Sequence, residues 1–133
     1  MGAWGAGVFE NDDALDLVNE VTDGTDLQPV EAAFERVRAI GSDYLEAPDC
    51  SAALAAAEIV ATLHGNPSQE SAPEGLPEWI RQQDLAVLPA LQNEARLAVE
   101  RVLREPSELL ELWSEGDPSE WLAVTNDLLA RLS

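Results

Sequence analysis

The stretch Ala47-Pro48-Asp49-Cys50-Ser51-Ala52-Ala53-Leu54-Ala55-Ala56-Ala57-Glu58-Ile59-Val60-Ala61-Thr62-Leu63-His64-Gly65-Asn66-Pro67 decides the fold. Pro48 and Asp49 restart the chain into a helix whose apolar positions are Cys50, Ala53, Leu54, Ala57 and Val60 or Ala61. Small side chains dominate Ala52 to Ala57, and small side chains let neighbouring helices approach closely. This helix is therefore expected at the centre of the molecule. His64, Gly65 and Pro67 end it in order: a ring near the negative end of the dipole, a left-handed cap, and a residue that cannot continue. The apolar run is far short of the ~18 residues that span a bilayer.

Working outward, every other periodic segment is also helical. Asn11 or Asp12 can cap a helix carrying Ala14, Leu15, Val18 and Val21 at three- and four-residue spacing, and Gly24 ends it. Asp26 or Gln28 can cap the next, with Pro29 in its first turn and a stripe of Val30, Ala33, Phe34, Val37, Ile40 and Tyr44. Beyond the central helix, residues 65–76 carry prolines, serines and glycine without a periodic face, and they are expected to form a mobile loop. A turn of helix around Trp79 and Ile80 precedes a longer one from Pro89, with Leu91, Ala95, Ala98 and Val102 inward and Arg96–Glu100 and Glu100–Arg104 spaced for pairing. Ser107 is expected to cap Glu108 to Trp113. Asp117-Pro118-Ser119-Glu120 starts a last helix through Trp121, Leu122, Thr125, Leu128, Leu129 and Leu132. The expectation is a single all-α domain over residues 1–133, a bundle or orthogonal array of five to six helices with no sheet.

Charge narrows the function classes. The chain has 133 residues, 26 acids against seven arginines and no lysine, for a formal charge of −19. At 46% hydrophobic residues it lies outside the low-hydrophobicity class that stays disordered. Such a surface repels phosphate backbones, which excludes direct nucleic-acid binding, and it disfavours anionic membranes. Residues 1–80 hold 16 of the acids against Arg36 and Arg38 alone, so this part is expected to face cations. The opening residues lack the basic start and apolar run of a secretory signal, and the single cysteine, Cys50, agrees with a reducing cytoplasm.

Gly2-Ala3-Trp4-Gly5 followed by Phe9-Glu10-Asn11-Asp12, Ala14 and Asp16 resembles the opening of a small bacterial family, the domain-of-unknown-function family 4259. Tyr44-Leu45-Glu46-Ala47-Pro48, Ser107-Glu108-Leu109 with Leu112-Trp113, and Glu120-Trp121-Leu122 extend the resemblance over nearly the whole chain. It implies a compact bacterial domain and brings no activity, cofactor or catalytic residue with it.

Two kinds of site are conceivable from the residues. The first is a partner-binding opening made of Trp4, Phe9, Glu10, Asn11, Asp12, Asp13 and Asp16, whose acids would meet a basic protein, in the manner of an immunity or inhibitor protein. The alternative is a metal-dependent hydrolase. Asp12 and Asp16 share a helix face, with Asp13 and Glu10 close by, and together with Glu46, Glu58 and either Glu31 or Glu35 they could hold magnesium or manganese through carboxylate oxygens. His64 has no second histidine beside it in the sequence, so neither a zinc set nor a catalytic triad can be argued from spacing. Cys50 is expected to be a buried small hydrophobe, and Trp79, Trp113 and Trp121 to be core anchors. The preferred expectation is a cytoplasmic interaction module without catalytic residues or cofactor.

Overall fold

The central helix is α3 (Ala47–Leu63), and every residue from Cys50 to Ala61 is buried. A helix with apolar residues all round its axis is satisfied only by neighbours on every side, and α3 packs against five other helices. In chain order these are α1 (Asp12–Thr22), α2 (Gln28–Ile40), α5 (Pro89–Val102), α6 (Glu108–Ser114) and α7 (Ser119–Arg131), while α4 (Leu76–Gln82) lies on α1. The computed structural model describes residues 5–68, 72–82 and 89–133. Among them are seven helices, because both short segments around Trp79 and Leu109 are complete seven-residue helices. Five or six is therefore an undercount: a seven-residue helix shows too few turns to display periodicity, and its stability comes from packing.

The helix ends follow local chemistry. Asn11 Oδ1 accepts the Ala14 N–H at 2.8 Å at the start of α1. Asp26 Oδ1 accepts the Gln28 N–H ahead of α2, and Asp117 Oδ1 accepts the Ser119 N–H ahead of α7. At the end of α3, Gly65 has φ +96°, its N–H donates to Thr62 O, and the Asn66 N–H donates to Ala61 O. This pair of bonds is a Schellman cap. Gly41 ends α2 at φ +61°, so Tyr44 leaves the helix stripe and stands exposed.

Two expected local contacts are replaced. The Ser107 hydroxyl caps nothing and faces the Cys50 thiol at 3.5 Å. The N-termini of α3 and α6 instead satisfy each other: the Glu108 N–H donates to Leu45 O at 2.8 Å, the Leu45 N–H donates to Pro106 O, and the Ala47 N–H donates to Glu108 Oε1 at 2.7 Å. Leu45 and Ser107 form a single parallel bridge there, with no sheet among the described residues. The peptide bond before Pro106 is cis. The Arg96–Glu100 and Glu100–Arg104 pairs do not close. Arg38 of α2 instead joins Glu35 and, across the helix interface, Glu94 of α5.

Candidate functional site

The glycine-rich opening runs along the bundle. Ala6 and Val8 are buried in the core, and Phe9 is half-buried against it. Glu10 turns back on this segment, where its Oε1 accepts the Gly7 N–H at 3.0 Å. A Cβ at Gly5 would meet the Glu10 carboxylate, so a side chain there would displace Glu10 from its place over the turn. Two of the expected binding residues, Glu10 and Asn11, thus hold the chain onto α1. Trp4 lies outside the described residues. Asp12 and Asp16 are exposed on one side of α1, and Asp13 is partly buried beside them.

The carboxylates considered as metal ligands are not brought together. Glu46 stands at the first turn of α3 and Glu58 twelve residues on, about 18 Å along the axis at 1.5 Å per residue. Glu58 faces Arg131, and among the described residues no group of three or more His, Cys, Asp or Glu side chains is placed to hold a metal ion. No helix among them is long and apolar enough to cross a membrane.

A concavity of about 670 Å³ lies between α3, α4, α7, the opening segment and the residues that follow α3. Val8 and Phe9 form one side, Leu76, Pro77 and Ile80 of α4 the other, and Val124 of α7 adds to the apolar lining. Its polar lining comprises Glu58, Thr62, Ser68, Arg81, Asp127 and Arg131. Glu58 is the single acid in the buried run of α3, only 3% exposed. Both of its oxygens are held by Arg131, Nη1 to Oε2 at 2.6 Å and Nη2 to Oε1 at 2.8 Å. The Arg131 Nε–H donates to Asp127 Oδ2 at 2.8 Å, and Nη1 also donates to Asn66 O. This bonding to Glu58, offset in part by desolvation, holds the Arg131 guanidinium more firmly protonated than usual. Thr62, one turn beyond Glu58, spends its hydroxyl proton on Glu58 O.

A second charged group is enclosed elsewhere. Arg101 of α5 is 6% exposed and has no carboxylate partner among the described residues. Its guanidinium donates to the carbonyls of Gly41 (2.9 Å), Asp43 (2.7 Å), Arg104 (2.9 Å) and Pro106 (3.1 Å). Gly41 and Arg104 follow the C-termini of α2 and α5, where unpaired carbonyls gather negative charge. Arg101 thus ties three chain segments together. His64 is the C-cap of α3. Trp79 is buried and donates its Nε1–H to Gly24 O at 2.9 Å, while Trp113 and Trp121 stack 6.4 Å apart.

Sequence reasoning missed the pairing of Glu58 with Arg131 and the Arg101 cage. One signal was present for each: an acid inside an otherwise apolar helix, and an arginine one position before Val102 on the inward face of α5.

A family model described as Domain of unknown function (DUF4259) matches residues 2–124 of the chain. Neither a curated protein nor a solved structure matches it.

Proposed function

We propose that this chain, a member of the DUF4259 family, is a bacterial cytoplasmic interaction module that takes a basic protein partner on the acidic outer face of α1. The observation that carries this reading is where the cations go. Arg36 pairs with Asp49, Arg38 with Glu35 and Glu94, Arg81 with Glu78, Arg131 with Glu58 and Asp127, and Arg101 with carbonyls. Among the described residues no ion pair involves an acid between Glu10 and Glu31. Asp12, Asp16, Glu20, Asp23 and Asp26 are all exposed there.

Such a face is not built for stability. Asp12, Asp16 and Glu20 stand at four-residue intervals, and each like-charge pair costs about 0.2–0.5 kcal/mol on a helix. Acids in the first turn favour the helix dipole, but Glu20 stands near its negative end with no basic residue in the last turn. A basic partner would relieve this repulsion, and the field would speed encounter at low salt. An inhibitor or immunity protein covering a basic enzyme is one arrangement of this kind.

The reading is tested by neutralising Asp16→Asn, Glu20→Gln and Asp23→Asn together. The triple variant should fold with an unchanged or higher Tm and lose a basic protein that the parent captures at low salt. Capture that survives neutralisation, or that persists undiminished as salt is raised, rejects the proposal.

A further inference from the structure

We infer that a small cavity under the glycine-rich opening is a binding site for one water molecule, which fastens the opening to α3 and α7. The cavity measures about 20 Å³ and is lined by residues 5–8, by Ser51 of α3 and by Trp121 and Thr125 of α7. A water molecule needs roughly 10–15 Å³ of such space and about two to four polar partners. The volume therefore admits one.

Two of these side chains are nearly enclosed and yet unspent. Ser51 is 6% exposed and Trp121 3%. Among the described residues neither the Ser51 hydroxyl nor the Trp121 Nε1–H makes a hydrogen bond. No fully enclosed side-chain nitrogen or oxygen among those residues lacks a partner, so each of these two atoms touches space that water can enter. The cavity is the space that both residues line.

Donors and acceptors define the guest. Trp121 Nε1 only donates. Thr125 has given its hydroxyl proton to Trp121 O at 2.8 Å, so its oxygen only accepts. Ser51 can do either. The Asn11 amide, also in the lining, is engaged at both ends, Oδ1 by the Ala14 N–H and Nδ2 by Val8 O. A guest must accept from one wall and donate to another, and water does both. An anion of that size would face the Thr125 lone pairs, and a cation would leave the indole N–H without an acceptor. Among the described residues no carboxylate or guanidinium lines the cavity to hold either ion. The glycine-rich opening thereby gains a physical role: Ala6 and Val8 are buried against the bundle, and the water joins the two helices that these residues cover.

The test uses the full chain. A crystal structure at atomic resolution should show one water within hydrogen-bond distance of both Ser51 Oγ and Trp121 Nε1. In solution, magnetic relaxation dispersion of the water oxygen should count one long-lived water fewer in Ser51→Val, where a methyl group takes the water's place. The Trp121 indole proton should lose its nuclear Overhauser cross-peak to water in the same variant. If that variant fails to fold, the parent answers by itself, since the sign of its indole cross-peak distinguishes a bound water from a surface one. A parent indole proton that shows no bound-water cross-peak, or that donates to a chain carbonyl, overturns the proposal. So does a dispersion that a folded Ser51→Val leaves unchanged, and so does bromide replacing the guest in crystals, which would mark an anion site.

Discussion

Glu58 on α3 and Arg131 on α7, 73 residues apart in the chain, meet through two parallel hydrogen bonds in a site where the carboxylate has almost no contact with solvent. Taking two charges out of water is costly, and the pair offsets that cost only while both members are present. Removing one partner leaves an uncompensated buried charge. Arg131→Met should therefore destabilise the fold by about 3–5 kcal/mol. The double variant Glu58→Leu with Arg131→Met should recover most of that loss or exceed the parent, since apolar replacement of such pairs is often neutral or stabilising by ~1–4 kcal/mol. Urea denaturation of the parent, both single variants and the double closes the cycle. A double variant as unstable as Arg131→Met would show that the pair itself holds α7 to α3.

This pair also marks where sequence reading stops. Helix existence is local, so the caps at Asn11, Asp26, Asp117 and Gly65 could be read from residue order, as could the burial of α3 from its small apolar residues. What Glu58 touches depends on which helix crosses α3 beside it, and nothing in a single chain's periodicity encodes that crossing. From the sequence Glu58 is only a candidate metal ligand, whereas the fold gives it Arg131. The bridge between Leu45 and Ser107 is similar. Both segments carry the family resemblance in the sequence, yet only the fold shows that they lie against each other and that Glu108, not Ser107, caps across the gap.

Arg101 is predicted to be irreplaceable by lysine. Its planar fork reaches four carbonyls in three directions, from Gly41 to Pro106. An ammonium is a point donor with three hydrogens and cannot span that arrangement. Arg101→Met should cost about 1–3 kcal/mol for each buried carbonyl it leaves unpaired, and Arg101→Lys should recover less than half of the total. Thermal and urea unfolding would measure both. A lysine variant as stable as the parent would mean that charge near the helix ends suffices without the fork.

Tyr44 is the one tyrosine in the chain, which makes its ionisation directly readable in the ultraviolet. Partial desolvation is the main cause that pushes its phenol up to about 12, followed by a hydrogen bond with Glu111 and the negative field of Glu111 and Glu108. Because the folded value is raised above the ordinary value of 10.0, the stabilising contribution is complete below that pH and fades as pH climbs through the folded value. Absorbance at 295 nm should rise with a midpoint near 12 while far-ultraviolet dichroism still reports helix. In Glu111→Gln the midpoint should move down. A parent midpoint at the ordinary tyrosine value would remove Glu111 from the account of this loop.

Cys50 should be inert in the folded protein. It is fully buried near the start of α3, with its thiol beside Ser107 Oγ and Leu45 O. Burial is the dominant influence and raises its pKa, against lowering contributions from Ser107, the backbone at Leu109 and Arg101. The neutral thiol is thus favoured by folding, a contribution present below the ordinary thiol range and lost as pH rises through the folded value. Since the thiolate is the reacting form, an aromatic disulfide reagent at pH 8 should label native protein no faster than it unfolds. In urea it should label one equivalent at once. Destabilising the fold through Arg101→Met should speed native labelling in proportion to the unfolded population, because exposure requires opening the N-terminus of α3. Rapid stoichiometric labelling of the native parent would mean that the junction of α3 and α6 opens locally, and Leu45, Ser107 and Glu108 would then belong to a moving part of the molecule.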